Sequence, residues 1–463
     1  MRFDKEAMNY GLLTLLPAVL VLVFAIVTKK TTEALIVGCL TSYAIISGFS
    51  FIPTTLEALL DVVTDRDNQW MIVLTGFFGS LIALLNASKA TNAIARFLGK
   101  FCKGIKSTLI ATWILGIIIF IDDTLNILAV SSCMKKLSDR NRVPREALAY
   151  VVDSTTAPAC VIFPFSTWVI FYANVFWGQD EVRALGYGSA LGTYYHLIPY
   201  VFYGMAALVV VPLFAFGILP KLGAMKTAYD RTEKTGSVFS EASARLNEAQ
   251  ANSQDMDDKS GNVLDFLLPM GVLIALTIIV DDMLIAVIAA IFVCMVLFLT
   301  RKKITFREFC ELWIKGFTEM IPALAILVAA LLMRRASSDL HLPEYVVNAA
   351  GPFISAKLFP LFAFVIVSAL SFVTGSCWGI PGICTPILVP LAQATGANMI
   401  LVLAAIVSAG TFGSHACFYS DATVITSITC GIDNMDHAKT QFPYALIAFA
   451  FSCIGYTIVG FAI

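Results

Sequence analysis

The sequence predicts an all-α polytopic membrane protein that contains two halves of the same plan, arranged as an inverted repeat. Hydrophobic residues make up 58% of the 463 residues, charged residues make up only 14%, and the mean hydropathy is +0.82. A water-soluble globule of this size needs a larger polar share, so the bilayer is the expected solvent. One long hydrophilic stretch, residues 220–262, divides the apolar segments into two sets. The net charge of −1 provides no basic surplus for binding nucleic acid.

The first half, residues 1–219, begins with three apolar windows of the length that a spanning helix needs, about 20 residues. These windows cover residues 11–27, 32–51 and 70–86. The next apolar segment, residues 107–137, contains two adjacent aspartates and has lysines and arginines at both ends. A single crossing would place one basic cluster outside, so the positive-inside tendency predicts a re-entrant helical hairpin with the aspartates at its tip.

A broken helix and a final span complete the first half. Residues 146–176 are long enough to cross, but the run Asp153-Ser154-Thr155-Thr156-Ala157-Pro158 interrupts them. Proline removes a helix donor and short polar side chains compete for backbone hydrogen bonds, so the sequence predicts a helix break there. A final span is expected over residues 194–219. Residues 220–262 then form a hydrophilic cytoplasmic linker.

The second half, residues 263–463, repeats this plan. Three spans are expected over residues 263–280, 283–299 and 312–333. A second hairpin covers residues 357–393, with its tip at Thr374-Gly375-Ser376. A second broken helix covers residues 399–429, and a final span covers residues 442–463. Each half makes an odd number of crossings, so the two halves have opposite orientations in the membrane.

The charges in the loops predict an amino terminus outside the cell. In that orientation Lys29-Lys30, both basic clusters around the first hairpin and Arg301-Lys302-Lys303 lie inside, while the acidic segment 57–67 lies outside. Arg334-Arg335 disagree, because they would lie on the outer side. Either the third span of the second half ends elsewhere, or these arginines serve a site. The expected location is the cell membrane, as a multi-pass protein of a bacterial inner or plasma membrane.

Two aspartates in the first hairpin, Asp122 and Asp123, are the strongest candidates for a binding site. An aspartate at the centre of a spanning helix costs about 2.5 to 3.5 kcal/mol on insertion scales, so both need compensation. A bound cation or proton would supply it. The alternatives are that a carboxylate caps a half-helix or pairs with a lysine. Thr124 and Asn126 add neutral oxygens within one turn, which suits sodium better than zinc.

A second group of candidates lies in the two broken helices. Asp153, Ser154 and Thr155 combine one carboxylate with two hydroxyls, and Asp421 and Thr423 lie at the equivalent break of the second half. The alternative for these residues is a helix contact lined by serine and threonine, with the aspartate as a cap. Four residues are expected to be sodium ligands: Asp123, Asn126, Asp153 and Asp421.

His415 and the tip of the second hairpin are further candidates. A lone histidine is either a hydrogen-bonded core group or a proton relay, and the pattern leaves both open. Thr374 and Ser376 flank a glycine at the hairpin tip, where exposed backbone amides favour anions. If these amides and Arg334-Arg335 face one cavity, an organic carboxylate becomes a substrate candidate.

Three motifs of this sequence carry a family resemblance. They are Phe120-Ile121-Asp122-Asp123-Thr124-Leu125-Asn126, the run 145–158 that contains Asp153-Ser154-Thr155, and Phe412-Gly413-Ser414-His415 with Ser420-Asp421-Ala422-Thr423. Together they resemble the NhaC family of sodium/proton antiporters, within the wider ion transporter superfamily, over most of the chain. Ser414 stands where that family usually has an aspartate, and Ala422-Thr423 replaces part of a threonine pair.

The resemblance implies a secondary active transporter with alternating access, in which sodium and a proton are exchanged. It also implies an inverted-repeat scaffold whose transport part moves against a fixed part, often in a homodimer, with no cofactor beyond the transported ions. The family resembles carriers of organic acids and amino acids as well, so sodium- or proton-coupled transport of such a substrate is the alternative. An intramembrane aspartyl protease is disfavoured because the Gly-x-Gly-Asp signature is absent. An ion channel is disfavoured because the sequence has no repeated selectivity-filter loop.

Overall fold

The computed structural model describes residues 10–28, 31–90, 93, 97, 99–120, 122–164, 166–248, 262–280, 282–342, 345, 355–375 and 377–463. All regular secondary structure in these residues is helical. Among them, six helices are long and apolar enough to cross a membrane, and up to eight spans result if each of two bent helix pairs is one span. The chain is therefore an all-α, multi-pass membrane protein, as the sequence predicts.

Short loops join most of the helices, so many neighbours in sequence also pack side by side. The helices before the hydrophilic stretch are α1 (Leu16–Thr28), α2 (Thr31–Ser47), α3 (Phe51–Thr64), α4 (Arg66–Ala87), α5 (Ile105–Ile118), α6 (Asp123–Arg140), α7 (Arg145–Ile162), α8 (Thr167–Trp177), α9 (Asp180–Arg183), α10 (Ala190–Leu197) and α11 (Phe202–Phe216). Those within and after it are α12 (Gly223–Thr235), α13 (Glu241–Glu248), α14 (Leu264–Val280), α15 (Met283–Thr300), α16 (Phe306–Glu319), α17 (Ile321–Asp339), α18 (Phe359–Thr374), α19 (Gly379–Thr395), α20 (Met399–Ala416), α21 (Asp421–Cys430) and α22 (Asn434–Ala462).

Large apolar side chains cover the outer surface of the spans. Ile279 on α14, Phe292 on α15 and Ile454 on α22 are each more than half exposed in the isolated chain. Extensive exposed apolar patches are rare on soluble monomers. Lipid tails are the solvent that this surface fits.

Helices α5 and α6 form an antiparallel hairpin, in which α5 ends at Ile118 and α6 begins at Asp123. Near the turn, the Asn126 side-chain amide donates to the Gly116 carbonyl at 2.6 Å. At the far end, the Asn141 side-chain amide donates to Thr108 Oγ1 at 2.7 Å. Residues close in sequence therefore pair near the turn, and distant residues pair at the base. This arrangement places the aspartate pair at the tip of the hairpin.

The helix that contains Asp153 is not broken where the sequence predicts a break. Helix α7 continues through Pro158, and the break follows at residues 163–166, where the axis bends by 47° into α8. The hydroxyls of Thr155 and Thr156 donate to the carbonyls one turn earlier, each at 2.6 Å. These hydroxyls therefore bond along the helix rather than opening it. Burial of almost the whole of α7 offsets the single donor that proline removes.

Two further helix breaks lie close to their predicted positions. Helix α18 ends at residue 374 and α19 begins at residue 379, with Gly375 between them. Gly375 has a φ of +65°, a conformation that glycine adopts without strain. Helix α20 ends at residue 416 and α21 begins at Asp421, so residues 417–420 interrupt that span.

Several helices of the two halves begin at matching positions in the region of the hairpins and broken helices. Helix α5 begins at residue 105 and α18 at residue 359, an offset of 254, and α7 and α20 begin at residues 145 and 399, the same offset. In each broken helix, a serine caps the second part and its hydroxyl donates to a carbonyl six residues earlier: Ser166 to Cys160, and Ser420 to Ser414.

The helices form two groups that pack against each other. The first helix group consists of α1–α4 and α14–α17, and the second consists of α5–α8, α10, α11 and α18–α22. In the first group, α4 packs against α15 and α16, and α17 packs against α2 and α3. In the second group, α21 packs against α6 and α7, and α20 packs against α18 and α22. Both halves of the chain therefore contribute to each group.

Gly79 on α4 and Gly316 on α16 let these two helices cross in close contact. A Cβ atom at Gly316 would overlap the Gly79 carbonyl oxygen and would lie 2.7 Å from the Ser80 Cα. We expect Gly316→Val to destabilise the protein by about 1 to 3 kcal/mol, the usual cost of overpacking, because backbone atoms cannot move aside easily. The measurement is the thermal unfolding midpoint in detergent. Gly271→Val on α14 is the matched control, since nothing lies within 4 Å of that position. An equal loss in the two variants would contradict the close crossing.

The hydrophilic stretch contains two helices that pack onto the ends of the spans. Arg231 on α12 forms an ion pair with Glu146 at the start of α7, at 2.8 Å. The Ser243 hydroxyl of α13 accepts from the backbone amide of Asp433, just before α22, at 2.9 Å. The predicted linker is thus ordered over both helices, because its polar side chains find partners at the helix ends. Residues 249–261 lie outside the described part of the chain.

Candidate functional site

A cavity of about 700 Å³ lies between the two helix groups. We call it the acidic cavity. Its polar and charged lining residues are Asp61, Asp65, Asn68, Thr75, Asp122, Asp123, Thr124, Arg334, Arg335, Ser338 and Asp421. Trp70, Phe171 and Trp378 add aromatic surface. Asp61 and Asp65 are exposed, so the cavity reaches one surface of the protein near them.

Asp122 and Asp123 are adjacent at the start of α6 but have different surroundings. Asp122 is the N-cap of the helix: its Oδ1 accepts from the Leu125 amide and its Oδ2 from the Thr167 hydroxyl, each at 3.0 Å. Asp122 therefore caps the half-helix, which is one of the alternatives that the sequence leaves open. Asp123 lies in the first turn and lines the cavity together with Thr124. The helix dipole stabilises a negative charge at that position.

Asp421 reaches the same cavity from the other half of the chain. It is the first residue of α21, and Ser420 is the cap of that helix. Its Oδ1 accepts from the Ala422 amide at 2.9 Å and lies 3.9 Å from the Cys377 sulfur at the tip of the second hairpin. Asp123 and Asp421 both line this cavity. Helix α6 of the first half and helix α21 of the second half thus each begin with a carboxylate that lines the same cavity.

Arg334 and Arg335, which disagree with the predicted topology, lie in the last turns of α17 and line the acidic cavity. Arg334 donates to Asn68 Oδ1 at 3.0 Å. Arg335 pairs with Asp339 at 3.0 Å and with Asp61 at 3.7 Å. The helix therefore ends later than the sequence predicts, and the arginines face a polar cavity rather than a loop. These polar partners explain why the two arginines do not follow the positive-inside tendency of loop residues.

The charges of the acidic cavity favour a cation. Five aspartates and two arginines line it, so its net charge is negative when all of these groups are ionised. Such a cavity raises the local concentration of cations. The sequence assigns Asp61 and Asp65 only to an outer acidic loop, places Trp378 only within the tip region of the second hairpin and does not identify Trp70. A linear pattern carries no signal of which loop residues turn toward a distant hairpin tip.

A buried polar network beside the acidic cavity centres on Asp153. Asp153 Oδ2 lies 3.0 Å from His437 Nε2, accepts from Gln441 Nε2 at 2.9 Å and has Thr423 Oγ1 at 3.5 Å. Asp153, His437 and Gln441 have no exposed surface. Asp153 Oδ1 and His437 Nδ1 have no hydrogen-bond partner within the described part of the chain. A carboxylate with this burial depends strongly on the donors that it has. The sequence does not identify His437 or Gln441.

His415 belongs to the same network. Its Nε2 lies 2.6 Å from Ser154 Oγ, and its Nδ1 lies 2.6 Å from the Tyr203 hydroxyl. The Gln441 amide also donates to the His415 carbonyl, which links the histidine to the environment of Asp153. Both ring nitrogens have partners, so this geometry fits the hydrogen-bonded core histidine of the two alternatives.

The four expected sodium ligands lie in three neighbouring surroundings. Asp123 and Asp421 line the acidic cavity, whereas Asp153 lies in the buried network. Asn126 lies inside the first hairpin, where its amide donates to the Gly116 carbonyl. In the residues that the structure describes, no group of three or more His, Cys, Asp or Glu side chains is arranged to hold a metal ion.

The remaining candidate hydroxyls bond within their own helices or lie outside the described residues. Thr155 donates to the Val151 carbonyl in α7 at 2.6 Å. Thr374 donates to the Leu370 carbonyl in α18 at 2.7 Å. Ser376 is outside the residues that the structure describes. The second hairpin thus contributes Trp378 and Gly379 to the cavity lining, from the residues just past its tip.

A second cavity, of about 540 Å³, lies at the opposite end of α6. We call it the basic cavity. Four basic and two acidic side chains line it: Lys135, Lys136, Arg140, Arg145, Asp139 and Glu319. Residues 236–239 of the hydrophilic stretch form part of its wall. Helix α6 therefore begins at a negatively charged cavity and ends at a positively charged one.

Comparisons with known proteins identify the family. The sequence matches the model of the Na+/H+ antiporter family over residues 159–461. A Haemophilus influenzae protein, described as uncharacterized, is 26% identical over 487 aligned residues, covering 97% of this chain and 91% of that protein. A Bacillus subtilis protein named malate-2H(+)/Na(+)-lactate antiporter is 30% identical over 109 residues, covering 24% of this chain and 23% of that protein. The structure of Neisseria gonorrhoeae MtrF, described as illuminating a class of antimetabolite efflux pumps, aligns over 96% of this chain and 94% of that chain, with 13% identity and a TM-score of 0.40.

The family match covers well over half of the chain and includes His415, Asp421 and Thr423. Asp122, Asp123 and Asp153 precede the matched region. The match confirms the family resemblance that the motifs indicate. Members of this family are secondary active transporters rather than enzymes, and the family implies sodium and protons as the transported ions. The chain belongs to the Na+/H+ antiporter family.

Proposed function

We propose that the protein exchanges sodium for protons across the membrane at the acidic cavity. Asp123 and Asp421 hold sodium and a proton in alternation, with Asp122 and Thr124 beside them. The observation that carries this proposal is the convergence of Asp123 and Asp421, each in the first turn of a half-helix, on one cavity between two helix groups. Because sodium and a proton compete for the same carboxylates, the binding of one ion releases the other.

The buried network positions this site rather than binding sodium itself. Thr423 contacts Asp153 from α21, two residues after Asp421. His415 and Ser154 hold the neighbouring part of the network together. A rearrangement of these contacts therefore moves the start of α21 and the carboxylate that it carries.

Four further residues remain predicted ligands: Asn126, Thr155, Thr374 and Ser376. Asn126 lies in α6, Thr155 in α7 and Thr374 at the end of α18. They join the sodium ligands only if the hairpin tips rearrange when the ion binds.

We also propose that residues 1–219 and 263–463 form an inverted repeat, joined on the cytoplasmic side by residues 220–262. The offset of 254 residues between matched helices and the paired serine caps support this. Each half directs one half-helix to the acidic cavity. An exchange of conformation between the halves would switch the side to which the cavity opens. We further propose that the protein lies in the cell membrane and forms a homodimer. The homodimer rests on the family resemblance alone.

Purified protein in liposomes tests the exchange. A sodium gradient directed inward is expected to alkalinise the lumen, because protons leave as sodium enters. Replacement of sodium by choline is expected to remove the pH change. Proton flux that persists without sodium would overturn the proposal.

The size of the acidic cavity favours a second candidate function, exchange coupled to an organic acid. Small-molecule sites occupy about 300 to 1,000 Å³, and the volume of about 700 Å³ lies within that range. Arg334 offers the planar donor group that recognises carboxylates, and Trp70 and Trp378 offer surface for an apolar body. The Bacillus subtilis relative is named for malate and lactate.

A panel of organic acids and amino acids tests this second function by thermal shift, with and without sodium. We expect a ligand of the carboxylate class to stabilise the protein and Arg334→Gln to remove that stabilisation, because its guanidinium is the expected partner of the carboxylate. Arg183→Gln, at a half-exposed arginine on α9, is the matched control. A shift that survives in Arg334→Gln, or a panel without any stabilising member, would reject the organic-acid function.

A further inference from the structure

One row of side chains on α6 leads from the acidic cavity to the basic cavity. Thr124 lines the acidic cavity, and Ser132, Lys136 and Arg140 line the basic cavity. These positions are spaced at multiples of four residues, and Leu128 occupies the position between them. Side chains four residues apart lie on the same face of a helix. Each step of four residues turns about 40° around the helix axis, so the five side chains form a row that winds partly around α6 as it passes from one cavity to the other.

Helix α21, which packs against α6, has the same arrangement. Asp421 and Ile425 line the acidic cavity, and Ile428 and Thr429 line the basic cavity. These positions follow the three- and four-residue spacing of one helix face. Two neighbouring helices thus present a continuous surface between the cavities.

A small void of about 10 Å³ lies between the two cavities. We call this void the neck, and its lining residues are Thr75, Thr124, Leu128, Met320, Ile425, Ile428 and Thr429. Thr75, Thr124 and Ile425 also line the acidic cavity, and Met320, Ile428 and Thr429 also line the basic cavity. The neck therefore adjoins both cavities. A single water needs about 10 to 15 Å³, so a hydrated ion does not pass.

The two cavities reach different surfaces of the protein. The acidic cavity meets solvent at the exposed Asp61 and Asp65. The basic cavity meets solvent at the exposed Arg140 and Gly236. The path through both cavities is thus open at each end and closed in the middle.

We propose that the transport path runs along α6 and α21 from the acidic to the basic cavity, and that Leu128, Met320, Ile425 and Ile428 are its gate. This inference rests on the proposed sodium/proton exchange and adds the residues that keep it coupled. An apolar constriction stops ions because water leaves a narrow space lined by hydrocarbon. Met320 belongs to the first helix group and the other three residues to the second. A shift between the groups opens and closes the neck.

The double variant Leu128→Ala/Ile425→Ala widens the neck and tests the gate in liposomes. We expect a loss of coupling, in which sodium enters without the matching outward movement of protons. The matched control is Ile127→Ala/Val424→Ala, because these buried residues lie on the same two helices and line neither cavity nor the neck. A double variant that leaks no more than this control would overturn the gate.

Leu128→Trp tests the gate in the opposite direction, because a larger side chain fills the neck. We expect exchange to stop while sodium still raises the thermal unfolding midpoint, since the acidic cavity remains intact. Exchange at the wild-type rate in this variant would also overturn the gate. A wild-type protein that moves no protons in response to sodium would instead overturn the proposed function, so the two failures are distinguishable.

Discussion

Asp123→Asn is expected to abolish sodium-driven proton movement. The substitution preserves the size of the side chain but removes the charge that attracts sodium and the group that carries the proton. Asp123 is not the cap of α6, so the half-helix should still form. The measurement is the change in lumenal pH after a sodium gradient is imposed on liposomes. We expect the signal to fall to the level of liposomes without protein, with a thermal unfolding midpoint close to that of the wild type.

The variant Asp122→Ala separates the role of the Asp122 carboxylate from that of the Asp123 carboxylate. Asp122 accepts from the Leu125 amide and the Thr167 hydroxyl, so its removal leaves both donors without that partner. Loss of an N-cap costs about 0.5 to 2 kcal/mol, and we expect a lower unfolding midpoint with part of the exchange retained. The assignment of roles would be reversed if folded Asp122→Ala protein were inactive while Asp123→Asn exchanged normally.

The sequence is sufficient to locate the half-helix starts that direct Asp123 and Asp421 to the cavity. A carboxylate in an apolar span is costly enough to stand out, and basic residues on both sides of 107–137 indicate a hairpin. Antiparallel packing of α5 and α6 agrees with that interpretation. The position of the first helix break is wrong in the sequence prediction. A proline and several threonines suggest a break near Asp153, but threonine hydroxyls that bond back one turn let a buried helix continue.

Long-range partners are the part of the site that the sequence does not provide. Asp153 meets His437 and Gln441 across 284 and 288 residues of chain, and Arg334 meets Asn68 across 266. Local sequence does not predict such pairs. In sequence, a histidine in the first turn of a long helix looks like any other polar residue at a helix end. The charge pattern near Arg334 does signal an anomaly. It does not indicate which cavity the side chain faces.

His437→Leu is expected to be the most destabilising single substitution outside the acidic cavity. His437 and Gln441 are the closest side-chain partners of Asp153 Oδ2, and all three side chains lack exposed surface. Removal of one partner of a buried pair costs about 3 to 5 kcal/mol when a charge is left without compensation. The measurement is the thermal unfolding midpoint in detergent, followed by exchange in liposomes for the protein that remains folded. His196→Leu, at an exposed histidine on α10, is the control and should have little effect.

The double variant His437→Leu/Asp153→Asn separates the loss of a partner from the loss of packing. An amide at position 153 carries no charge, so it should recover part of the stability that His437→Leu alone removes. The difference between the double variant and the two single variants gives the interaction energy of the pair. If His437→Leu costs the same with and without Asp153→Asn, the histidine does not stabilise the carboxylate. Recovered stability without recovered exchange would instead mean that exchange requires the Asp153 carboxylate itself and not only the stability that it gives.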